Sequence, residues 1–129
     1  MFKVEIRECS KELSAKERVM LKDVSNCESI NELAEQAKEL EADVIFKPLM
    51  WAVLDVHNDE SKDSKDYTCY VIITDDGRRL STSSDAFYNA FYNIVSEMEG
   101  VEDEEWAIKV MLTPSSNYKG KNVLTCTIV

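Results

Sequence analysis

The sequence predicts an α+β fold built mostly of antiparallel strands, and three stretches carry that expectation. Tyr67 to Thr74 (YTCYVIIT) sets Cys69, Val71 and Ile73 on one side and Tyr70 and Ile72 on the other, as in a strand covered on both faces. Asp76-Gly77 follows, a dipeptide suited to the two positive-φ positions of a tight hairpin, and Arg78 to Thr82 returns as a short strand. Ser83, Ser84 and Asp85 then offer N-caps to a helix. Its Phe87, Phe91, Ile94, Val95 and Met98 share one face, Tyr88 and Tyr92 flank it, and Gly100 ends it.

The remaining elements follow from local chemistry. Phe2 to Ile6 alternates apolar and charged residues, the period of a half-buried strand. Ser14 and Glu17 match a capping box, in which each side chain satisfies the other's backbone donor, and Arg18 to Leu21 continues as one helical turn or, alternatively, a short strand. Ser29 and Glu32 repeat the pattern. Ile30, Leu33, Ala34, Ala37 and Leu40 then recur at helical spacing, which predicts an amphipathic helix from about 29 to 40 with glutamates outside. Pro48 has no N–H and marks a strand start, an edge or a bulge, and Leu49 to Val56 reads as a buried strand. Residues 57–66 (HNDESKDSKD) read as a solvated loop. Beyond the acidic connector Glu102 to Glu105, Trp106 to Leu112 sets Trp106, Ile108, Val110 and Leu112 on one face of a strand. Thr113 to Asn122 is rich in turn formers, and Asn122 to Val129 closes the chain as a strand.

This order is strand, strand, turn, strand, helix, strand, strand, with one more strand at the N-terminus. It fits an OB-like five-stranded barrel with a helix between strands three and four. A sandwich with helices on one face of an antiparallel sheet fits the same order. With 129 residues, one domain over 1–129 is expected, with an N-terminal strand and helices in 1–42 and the main sheet and its helix in 43–129.

Charge narrows the function classes. The net charge is −10, a field that opposes nucleic acid and anionic membranes, yet its distribution is uneven. Trp106 to Val129 contains no Asp or Glu and carries Lys109, Lys119 and Lys121, so the remainder carries −13. The apolar runs are too short to span a membrane, and the N-terminus interleaves charges with its apolar residues, unlike a signal-peptide core. A cytoplasmic location is the expectation. Cys9, Cys27, Cys69 and Cys126 form no zinc-type spacing, and reduced structural thiols are expected. His57, the single histidine, has no accompanying nucleophile motif. The carboxylates from Asp55 to Asp66 lack the Gly and Glu of a calcium loop, and no phosphate-cradling glycine loop occurs. The reading is therefore non-enzymatic, with no catalytic residue, metal or cofactor.

Binding chemistry gathers instead near the C-terminus. Tyr118 stands in a polar stretch with Asn117, Lys119, Gly120 and Lys121. A flat π-face beside cations is what single-stranded nucleic acid requires, and in an OB-fold the loop between the last two strands is one of those used for ligands. Arg78 and Arg79, just past the Asp-Gly turn, and Lys109 are candidate further contacts.

Several of these segments also carry a family likeness. They are Leu13 to Asp23 (LSAKERVMLKD), Val53 to Asn58 (VLDVHN), Tyr67 with Tyr70-Val71-Ile72, and Asp76-Gly77. Ser81 to Phe87 with Phe91, and Pro114 to Lys121 (PSSNYKGK), complete the set. Through them the chain resembles, over most of Leu13 to Val129, a family of small proteins from phages and conjugative elements of Gram-positive bacteria. Members of that family are described as single-stranded-DNA-binding. The resemblance implies single-stranded DNA as partner. The acid excess supports another expectation, an acidic accessory factor that docks a host or element-encoded protein and touches no nucleic acid. Homo-oligomerisation is compatible with either.

Overall fold

The computed structural model describes residues 2–58, 65–114 and 122–129. In chain order the elements are β1 (Phe2–Cys9), α1 (Ala15–Lys22), β2 (Glu28–Ser29), α2 (Ile30–Glu39), β3 (Ile45–Phe46) and β4 (Pro48–Asn58). They continue with β5 (Lys65–Thr74), β6 (Arg79–Thr82), α3 (Asp85–Met98), β7 (Ile108–Pro114) and β8 (Asn122–Ile128). The fold is α+β and mostly antiparallel. The described strands form two open sheets, ordered β1-β4-β5-β6-β2 and β3-β7-β8, and no closed barrel is found among them. Sheet closure would need β7 and β8 beside β6 or β1. Instead the edge of β6 is taken by the two-residue β2, the one parallel pairing in that sheet.

The chain divides into two compact units, residues 1–29 with 48–83 and residues 30–47 with 84–129. In the first unit, β4 and β5 form the longest pairing, and Leu54 opposite Cys69 and Ala52 opposite Val71 set a continuous apolar face. Leu13 and Leu21 pack on that face together with Met50, Val56 and Ile73. The capping box is formed as read: the Ser14 backbone N–H donates to Glu17, and the Glu17 N–H donates to Ser14 Oγ, which positions Leu21 for full burial.

The β5–β6 turn departs from the sequence reading. Gly77 has φ +87, but Asp76 does not take a positive φ, so the turn is not the two-residue type that Asp-Gly suggests. Gly77 N–H donates to Thr74 O and Thr74 N–H to Arg78 O, the pattern of a three-residue loop with a left-handed glycine at its end. The buried Thr74 hydroxyl explains the preference, since it donates to the Asp76 carboxylate and accepts from Arg78 N–H. The Thr74 hydroxyl bond holds the Asp76 carboxyl below the usual carboxylate range. A depressed folded value contributes stability that is complete above the ordinary carboxylate pKa and is lost as pH falls through the lowered value. Asp76→Asn is therefore expected to make the fall in melting temperature between about pH 7 and pH 3 shallower than in the parent. Thermal melts at the two pH values check this, and a fall equal to the parent's would contradict it.

In the second unit, Ser84 caps α3 by accepting from Phe87 N–H, and Phe87, Phe91 and Val95 are buried. Gly100 takes φ +81 just past the helix, the left-handed position that follows a helix end. α3 lies on the β7–β8 face that carries the buried Ile108, Val110, Leu124 and Cys126. The Cys126 thiol donates to Phe87 O at 3.8 Å, and Ser84 Oγ donates to Leu124 O at 3.4 Å. Trp106, read as the first residue of its strand, stands before β7.

The four cysteines are free, with Cys9 exposed and Cys69 and Cys126 buried. Burial pushes the Cys69 thiol up to about 11 and the Cys126 thiol up to about 12, which removes the reactive thiolate at neutral pH. A disulfide-exchange reagent is expected to modify Cys9 first and to reach Cys69 and Cys126 only in denaturant. Rapid modification of either in the native protein would contradict their core placement.

Candidate nucleic-acid interface

The acid-free C-terminal segment folds as an antiparallel hairpin. β7 and β8 pair from Ile108 opposite Ile128 to Pro114 opposite Asn122. Residues 115–121 join those ends in sequence, and Asn117, Tyr118, Lys119 and Lys121 lie outside the described residues. Alternation gives the hairpin two faces. One is closed by α3. The other carries Lys109 opposite Thr127, Met111 opposite Thr125 and Thr113 opposite Val123, with Ile45 of β3 beside Lys109. Met111, Thr127 and Ile45 are exposed, and the remaining four are half-buried. Lys109 Nζ is 3.5 Å from a carboxylate oxygen of Asp43.

Arg78 and Arg79 belong to the first unit, Lys109 to the second. Each arginine is held by a carboxylate. Arg78 donates two hydrogen bonds to Glu28, at 3.0 and 3.2 Å, and these bonds to the carboxylate raise its pKa above the usual value. Arg79 Nη1 lies 3.2 Å from Asp23 Oδ2. Both acceptors flank the edge that β2 adds to β6, so these arginines fasten that edge. A guanidinium shared with a carboxylate offers a phosphate less than a bare one does, since the existing pair must be exchanged. The three described cations chosen from sequence are thus all ion-paired.

The sequence reading missed a second polar array, along one end of β1, β4 and β5. His57 is not in a loop: it lies in β4, directly across from Asp66 in β5, and its Nδ1 pairs with that carboxylate. Arg7 binds the Asp55 carboxylate and reaches Thr68 Oγ1 at 3.2 Å, and Lys3 pairs with Glu5 at 3.1 Å. A cleft of about 490 Å³ runs over these side chains. The alternation of Lys3, Glu5 and Arg7 was legible, but the opposing row of Asp55, His57, Asp66 and Thr68 required the register. Lys3–Glu5 lies within β1, whereas Arg7–Asp55 and His57–Asp66 link neighbouring strands, so these solvent-screened pairs fasten β1 to β4 and β4 to β5. Among the described residues, no three His, Cys, Asp or Glu side chains are grouped to hold a metal ion.

No family model, curated protein or solved structure matches the chain. No helix among the described residues is long and apolar enough to cross a membrane.

Proposed function

We propose that the protein is a non-enzymatic single-stranded-DNA-binding module of a phage or other mobile element, acting through the β7–β8 hairpin and the residues that join its strands. One observation carries this reading: in a chain of net charge −10, Trp106 to Val129 is free of acid and concentrates three lysines beside a tyrosine. Phosphate neutralisation supplies most non-specific affinity, so an anionic strand meets the least repulsion there. The resemblance to the mobile-element family points the same way. The OB-like mode of use, in which a sheet and the loop between its last strands hold a single strand, is the arrangement this reading adopts. Arg78 and Arg79 take a secondary part, since each must first leave its carboxylate. An electrophoretic mobility shift is expected with a single-stranded oligonucleotide and a weaker one with the duplex of the same sequence. Equal or stronger retardation of the duplex would argue against single-strand recognition.

A second reading is favoured by the ion pairs Arg78–Glu28, Arg79–Asp23 and Lys109–Asp43, which spend these described cations on the protein's own acids. In that reading the surplus of carboxylates docks a basic host or element-encoded protein, and no nucleic acid is bound. Affinity capture would then recover a defined basic protein in a nuclease-insensitive complex, and recovery of DNA would count against it.

A further inference from the structure

We infer that the bound single strand lies along the side of the β7–β8 hairpin opposite α3; this rests on the DNA-binding reading and names its surface. The other side is committed to the core, where Leu124 and Cys126 of β8 pack beneath α3 and Ile108 and Val110 of β7 are buried. On the open side stand three rungs, Lys109 with Thr127, Met111 with Thr125, and Thr113 with Val123. Neither strand contributes an Asp or Glu to it. Asp43 pairs with Lys109, and with Lys38 of α2 it borders the groove that Lys109 and Met111 also line.

The composition of this face fits one occupant. Threonine hydroxyls donate to phosphate oxygens without requiring a fixed sequence, and Met111 and Val123 offer apolar area to bases. Lys109 adds a cation once its contact with Asp43 is exchanged for phosphate. Seven residues span six rises of about 3.4 Å, a track of about 20 Å, enough for a few nucleotides. The track leads to Pro114 and Asn122. Elsewhere the protein is strongly acidic, so a strand that strays from this face meets repulsion, which makes the path a matter of charge complementarity.

The test adds negative charge to the face while leaving the core alone. Thr125→Glu with Thr127→Glu is expected to weaken oligo-dT binding at least about tenfold at low salt, because two carboxylates then oppose the phosphates. Asn89→Glu with Asn93→Glu, at exposed positions of α3, adds the same charge off the face and should change affinity less than about threefold. Circular dichroism melts establish that each variant folds, and Thr127→Glu alone, at an exposed position, replaces the double variant if that one does not. If the parent binds and the face variants bind as well as it does, the placement is overturned while the DNA-binding reading stands. Equal weakening by the α3 pair would also overturn the placement, since total charge would then account for the loss. Failure of the parent itself to bind would remove the reading and the placement together.

Discussion

Phe91→Ala is expected to destabilise the protein by about 3–5 kcal/mol, the cost of removing a fully buried phenyl ring and leaving a cavity that the surroundings fill only in part. Phe91 is 0% exposed and stacks on Phe87 with ring centroids 6.0 Å apart and planes 12° from parallel. Tyr88 adds a tilted contact at 6.3 Å. These rings anchor α3 to the β7–β8 sheet, so the loss falls on the unit that carries the proposed interface. A domain of this size is stable by about 5–15 kcal/mol, which makes the change a large fraction of the total. In urea the midpoint should fall by about 2 M. Tyr92, 52% exposed on the same helix, is the comparison: Tyr92→Ala should cost less than about 1 kcal/mol. Similar midpoints for the two variants would contradict the packing described.

The second large effect concerns binding. Lys119→Ala with Lys121→Ala is expected to lower oligo-dT affinity about tenfold or more at low salt. The same change should flatten the dependence of log K on log salt by about 0.7 for each lysine that neutralises a phosphate. Tyr118→Ala should remove a stacking contact worth about 1–3 kcal/mol, and Tyr118→Phe, which keeps the π-face, should restore most of it. A salt slope unchanged by the lysine pair would place the phosphates elsewhere. Loss with Tyr118→Phe equal to that with Tyr118→Ala would assign the effect to the hydroxyl rather than the ring.

Local order was legible where a single segment contains its own reasons. The capping box at Ser14, the aromatic face of α3 and the alternation in β5 and β8 need no distant partner to be recognised. Pairing was not legible. β2 and β3 have two residues each, too few to show a period, yet β2 occupies the edge of β6 that a closing strand would have needed. The Asp-Gly turn was misread because its geometry depends on the Thr74 hydroxyl, a side-chain contribution that dipeptide preferences omit. The ion pairs of two candidate contacts were equally out of sight. Arg78 and Arg79 look free in sequence because their carboxylates lie 50 and 56 residues away. The His57–Asp66 pair was overlooked because β4 and β5 extend further than their apolar pattern does, through residues that read as a loop. What sequence did isolate, the absence of acid after Glu105, depends on no contact at all, and it still marks the surface on which the functional proposal rests.

Fluorescence anisotropy of a labelled oligo-dT, titrated with the intact protein at about 50 mM salt and again at about 200 mM, tests that proposal most directly. Saturable binding at the lower salt that weakens steeply at the higher is the predicted result, because a chain of net charge −10 gains its affinity from a few local phosphate contacts. No saturable binding at the lower salt would contradict it.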